Sequence, residues 1–246
     1  MRRIVTLVIV LATCAALSAC GSSSPSPSTS TTTPTPSLTS SPKVALAAMR
    51  NAAHSQHSVH YVSVSSGPGH TIRIVADVSA TEGIQRIAFT DHGQSGSGTT
   101  MVSGGTAYIR GDAFMMRVYF GFPKARATKY AGKWISVPSS NSAYATVADD
   151  VTLPSFLSHL FPRQTKPSLV NAAFLIGVRG TVHGQSGVTV EATVFAPAHG
   201  RPLPVKQTAK SSNHLGTGVV TMSKWNAAVH VSAPTNAVLI STVGGG

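Results

Sequence analysis

TIRIVADVSA (residues 71–80) and VTVEATVF (residues 188–195) decide the fold class. In the first stretch Ile72, Ile74, Ala76 and Val78 alternate with Arg73 and Asp77. In the second, Val188, Val190, Ala192 and Val194 alternate with Thr189, Glu191 and Thr193. Successive side chains of a strand point to opposite faces, so a period of two means a sheet with one apolar face. Shorter runs at 58–65, 84–90, 98–103, 106–110, 133–137, 174–182, 205–209, 218–222 and 229–233, set off by Gly, Pro or Ser, extend the pattern into an antiparallel meander.

Two stretches leave this pattern. Residues 44–53 are Ala-rich with a helical stripe at Val44, Ala47 and Ala48, and Ser41-Pro42 supplies a helix start. Residues 142–161 carry Tyr144, Val147, Ala148 and Val151 at helical spacing, then Phe156, Leu157, Leu160 and Phe161, which predicts a helical pair broken at Pro154. A many-stranded sheet with one apolar face must curl around a cover, and the helices are the natural one. The expected fold is α+β: a curved antiparallel sheet forming an open half-barrel wrapped on helices.

Local signals refine this expectation. Gly104-Gly105 suits a tight hairpin turn, and Gly93 to Gly98 reads as a flexible hairpin loop between strands. Pro202 and Pro204 predict an edge strand or a bend entering Val205. Trp134 is expected to pack under the sheet.

The chain begins with Arg2 and Arg3, an apolar run over residues 4–16, and Leu17-Ser18-Ala19-Cys20, which has the form of a bacterial lipobox. Cleavage before Cys20 would make that thiol the first residue and the site of acylation, with the acyl chains holding the protein on the extracytoplasmic face of the cell membrane. The apolar run is too short for a comfortable membrane span. Cys14 leaves with the signal, so no disulfide is available to the remaining chain. Residues 21–42 are almost entirely Ser, Thr and Pro and cannot bury a core; as polyproline II they would reach about 70 Å. The expected organisation is a signal peptide at 1–19, the lipidated cysteine and tether at 20–42, and one folded domain at 43–246.

Without Arg2 and Arg3, 17 of the 19 basic residues remain against 7 acidic ones, a charge of about +10 with neutral histidines. Such a domain suits anionic head groups, acidic glycans or phosphates, or is simply a solvated basic surface. No basic stripe interleaves with aromatics, so no nucleic acid is expected as partner. His54, His57 and His60 recur every third residue, but across a helix-to-strand change and without acidic neighbours in sequence, so no metal is expected there. Asp149 and Asp150 are adjacent, and neighbours on a helix point apart. The chain has no G-x-S-x-G elbow, H-E-x-x-H or P-loop, and neither catalysis nor a cofactor is expected.

Residues 104–110 (GGTAYIR), 130–138 (YAGKWISVP), 200–206 (GRPLPVK) and 229–234 (VHVSAP) resemble, in order and spacing, actinobacterial envelope lipoproteins of the LppX/LprAFG type. The resemblance covers the lipobox, the tether and most of residues 43–240. It implies a LolA-like open barrel with an apolar cavity for acyl chains, and carriage of lipids or lipid-linked glycans between the cytoplasmic membrane and the outer envelope.

The stretch Asp112 to Phe122 is the candidate binding element. Phe114, Met115, Met116, Tyr119 and Phe120 crowd it, with Arg110, Arg117, Lys124 and Arg126 around them. An apolar lip with a basic rim suits a lipid, since Met adapts to variable chains and Arg forks onto phosphate or carboxylate. A buried helix or strand with exposed arginines fits the same residues. Phe114, Met115, Met116, Arg117, Tyr119, Phe120, Phe156 and Leu160 form the predicted ligand-binding set, and Cys20 the lipidation site. The expected partners are a lipid or glycolipid and the membrane, and the expected state is a monomer. The competing class is an envelope sensor or scaffold that binds a protein with the same fold and a filled core.

Overall fold

The computed structural model describes residues 41–161, 165–183, 189–211 and 216–243. Cys20, the lipobox and residues 21–40 of the predicted tether lie outside the described residues, as does Val188. Helix α1 (Pro42–His54) comes first, with Ser41 extended before it and Pro42 at its start, where a missing N–H costs no hydrogen bond. Strands β1 (Ser58–Gly67), β2 (His70–Ser79), β3 (Gly83–Asp91), β4 (Gln94–Ser103) and β5 (Thr106–Gly111) form a first meander. Helices α2 (Ala113–Val118) and α3 (Lys124–Tyr130) lead to β6 (Ile135–Pro138), followed by α4 (Tyr144–Val147) and α5 (Leu153–Leu160). A second meander comprises β7 (Thr165–Ala172), β8 (Leu175–His183), β9 (Thr189–Pro197), β10 (Lys206–Ser211) and β11 (Thr217–Ser223), and β12 (Val238–Leu239) and α6 (Ile240–Val243) follow.

These strands make one open curved sheet in the order β12-β6-β5-β4-β3-β2-β1-β11-β10-β9-β8-β7. Every pair is antiparallel except β12 with β6. Pairing of β1 with β11 joins the two meanders. One row across the inner face reads Met222, Tyr61, Ala76, Gln85, Thr100, Ile109 and Ile135. It is apolar except at Gln85 and Thr100.

Two bodies of core cover this face at its two ends. Over β1, β8 and β9, helices α1 and α5 bury Met49, Phe156, Leu157 and Leu160 against Val59, Val178 and Val194. Over β5 and β6, Met116, Tyr130, Val151 and Ile240 pack on Ile109, Ile135 and Val137. A third, smaller cluster sets Met115 on Ile87 and Phe89. Complete burial of side chains such as Met115 and Met116 contributes about 1.5–3 kcal/mol each. Among the described residues no helix is long and apolar enough to cross a membrane.

Several sequence expectations are corrected. Gln94 to Ser103 is continuous strand, so the glycine run is no loop; only His92 and Gly93, both at positive φ, make the turn. The expected helical pair is present as α4 and α5, but the break falls before Pro154, whose ring is tolerated in the first turn of α5. Residues 229–233 pair with no described strand. Their segment crosses the outer face: Asn226 N donates to Ser58 O, Ser103 Oγ to Val231 O and Val238 N to Trp134 O. A chain running across strands cannot join their ladder. Trp134 lies under the guanidinium of Arg110, 4.8 Å from its ring centre, and outward in the pleat from buried Ile135. Pro202 and Pro204 form the bend, since β10 lies inside the sheet. Strands β7 and β12 and helices α3 and α6 carry no periodicity that announced them.

Candidate functional site

Between the two covered ends of the inner face lies a cavity of about 460 Å3. Ile74, Ile87, Ile109 and Val137 of the sheet form its floor. Tyr119, Phe120 and Phe122, which follow α2, form one wall, and Val147 and Ile240 close it from α4 and α6. The volume lies within the range of small-molecule sites, about 300–1,000 Å3, and the lining has their mostly apolar character.

The wall owes its position to α2. Asp112 caps that helix by accepting from Met115 N at 2.8 Å, and its other carboxylate oxygen accepts from Ser97 N at 2.6 Å, which staples the helix start to β4. Gly96 and Gly98 make the close approach possible. A Cβ on Gly96 would meet Phe114 Cδ1 at 2.8 Å, and one on Gly98 would meet Met115 Cγ at 3.0 Å. Tyr119 and Phe120 emerge at the end of α2 in edge-to-face contact, centroids 5.3 Å apart, and Tyr119 also meets Phe89 edge-on.

Polar groups run along one side of the cavity. Thr100 Oγ1 donates to Gln85 Oε1 at 3.0 Å, Gln85 Nε2 to Tyr61 Oη at 2.6 Å, and Tyr61 Oη to the Asp150 carbonyl at 2.9 Å. This chain satisfies the polar atoms that interrupt the inner row, which would otherwise cost about 1–3 kcal/mol each. Asp150 has φ +58°, and its carboxyl lies 2.7 Å from His159 Nδ1. Asp149 Oδ1 accepts from Ser155 Oγ at 3.0 Å.

Burial raises the pKa of Asp150 above the ordinary carboxylate value, and the hydrogen bond from His159 opposes the shift. Although 37% of the side chain is open, protein surrounds it beyond the cavity space. Burial, with the Asp150 and Asp149 charges behind it, pushes Tyr119 up to about 12. Burial likewise holds Tyr61 well above the usual phenol.

The structure corrects the expectation that Asp149 and Asp150 diverge. They occupy a turn after α4 and not a helix, and donor atoms of Asp149, Asp150 and His159 lie within 4.8 Å of one another. Hydrogen bonds from Ser155 and His159 occupy this cluster, which ties the turn to α5. His60 does have an acidic neighbour: Asp77 stands opposite on β2, with 2.7 Å between Nδ1 and Oδ1.

The predicted binding residues separate into groups. Tyr119 and Phe120 line the cavity. Met115 and Met116, with no exposure, lie in the core behind it. Phe114 and Arg117 line a separate shallow hollow, the Arg117 guanidinium 5.7 Å from the Phe114 ring centre. Phe156 stacks on Tyr61 at 4.3 Å, and it and Leu160 are buried under α1, away from the cavity wall. Of the predicted basic rim, Arg126 reaches the cavity, half-buried and without an ion-pair partner among the described residues. Val147 and Ile240 were missed as lining residues: short α4 and α6 bring them to the cavity, and only the pairing of β12 with β6 places the latter.

Comparison with solved structures gives matches that take in nearly the whole of the other chain. The chain is similar in fold to LprF from Mycobacterium bovis, at 16% identity and a TM-score of 0.49, over 78% of this chain and 96% of that one. It is also similar to the lipoprotein LppX from Mycobacterium tuberculosis, at 17% identity and a TM-score of 0.43, over 78% and 100%. No protein-family model matches the chain, and no curated protein does.

Proposed function

We propose that this chain is an envelope lipoprotein, acylated at Cys20, that holds an amphiphile with its acyl portion in the cavity and its head group toward Arg126. The observation that carries the reading is the cavity itself: an inner sheet face whose centre is left open between two packed cores, walled by Ile, Val and Phe side chains. Apolar occupants gain about 25 cal/mol per Å2 removed from water, which favours a hydrocarbon over solvent there. Arg126 offers a fork for a phosphate or carboxylate at the boundary.

The basic leader, lipobox and Ser/Thr/Pro segment support attachment to the outer face of the cell membrane. The reading needs no catalytic step: binding and release suffice. Lipid or glycolipid carriage through the envelope is the physiological task this implies.

The test is native mass spectrometry of the full chain released from a non-ionic detergent, beside an Ala143→Trp variant whose indole fills the cavity. A co-purifying amphiphile, present in the parent and absent from the folded variant, supports the reading and gives the class of the ligand. A bare parent that also refuses added phospholipids and glycolipids overturns it in favour of a scaffold.

A further inference from the structure

The outer face of the sheet carries a second concavity, of about 700 Å3, whose lining shares Ile87 alone with that of the first. One row across it reads Val75, Arg86, Thr99 and Arg110, and the next reads Arg73, Ala88 and Ser97. Arg86 and Arg110 flank Thr99 from the strands on either side, their backbones about 10 Å apart across the sheet at the usual strand spacing. Arg73, Arg86 and Arg110 line this hollow together with the small residues Thr99, Ser97 and Ala88, and Ala131-Gly132 walls it.

Three guanidiniums on one sheet face repel one another, and like charges on neighbouring strands cost stability. Among the described residues none of the three enters an ion pair. Asp112, at the rim, is held by Ser97 and Met115, and Asp77, on the same face of β2, by His60. Arg110 is held over the Trp134 ring at 4.8 Å, which orients its fork before any ligand arrives. The hydroxyl of Thr99 lies among the cations as an additional donor, while that of Ser97 donates to Asp112 Oδ2 at 3.4 Å.

We propose that Arg73, Arg86 and Arg110, beside the Thr99 hydroxyl, bind a phosphate group. Charge, fork geometry and a hydroxyl donor suit a tetrahedral dianion or a phosphodiester. The phosphate belongs either to a soluble ion or to the head group of an anionic phospholipid, and this site is independent of the cavity and its occupant.

Trp134 is the reporter. The full chain, with Trp225→Phe to remove the other indole, is titrated in maltoside detergent with inorganic phosphate at constant ionic strength. It is then placed on phosphatidylcholine vesicles with and without phosphatidylglycerol. A saturable change in Trp134 emission with phosphate identifies a soluble-anion site, and one that needs phosphatidylglycerol identifies a head-group site. Either should weaken about tenfold or more in Arg73→Gln/Arg86→Gln, which leaves the reporter pair intact. No saturable response in either arm, or an equal response in the double variant, overturns the proposal.

Discussion

The Asp150 carboxyl lies 2.7 Å from His159 Nδ1, and this pair joins the turn after α4 to α5 beside the cavity. Because burial raises the Asp150 pKa, the folded chain keeps a proton that the unfolded chain releases near pH 3.9. Its contribution is therefore fully present below that pH and is lost as pH rises through the folded value. Tyr119, pushed up to about 12, gives a second loss above about pH 10. Asp150→Asn keeps the shape and tolerates the positive φ. Thermal melts from pH 3 upward should show a shallower decline in the variant; an unchanged slope would mean that the pair does not titrate with folding.

Gly98 faces Met115 across a gap too small for a side chain. Gly98→Val should destabilise the fold by about 1–3 kcal/mol through overpacking, and should move Tyr119 and Phe120 with α2. Urea unfolding measures the first effect, and loss of amphiphile in native mass spectra the second.

Met116 and Phe120 lie four residues apart and should respond in opposite ways. Met116 has no exposure, so Met116→Ala should cost about 2–5 kcal/mol in urea unfolding. Phe120 is half-buried at the cavity, so Phe120→Asp should leave a cooperative melt and abolish amphiphile binding. Retained binding in the folded variant would place the ligand elsewhere.

Asp112 caps α2 and accepts from Ser97 N. Asp112→Ala should cost about 1 kcal/mol of stability, while Asp112→Asn should restore most of it. Amide exchange should rise first at Met115, because that N–H loses its acceptor.

The sheet was legible because its signal is local: Ile72, Ile74, Ala76 and Val78 alternate, and all four turn inward. What was illegible depends on partners distant in sequence. Gly96 and Gly98 carry the local mark of a loop, yet they serve as gaps for Phe114 and Met115. Residues 229–233 alternate like a strand, but run across strands instead of beside them. Thr165 to Ala172 pairs with β8 although Pro167 and Asn171 spoil its pattern. The crowding of aromatics and methionines at 114–120 read as an apolar lip, and of its side chains Tyr119 and Phe120 line the cavity. Which of those side chains turn into the cavity and which into the core is set by the seat of α2. Phe156 and Leu160 were legible as an apolar stripe, and only the packing of α5 against α1 shows which core takes it.

Strand β6 and its neighbour β12 touch across a wide interval of chain: Ser136 Oγ donates to Val238 O, 102 residues away. Ile240, which closes the cavity, belongs to that late segment. During synthesis, the cavity therefore has no finished wall until the second meander has emerged. Such distant contacts make a slow closing step, and a hydrocarbon ligand present at that moment would find the inner face still open.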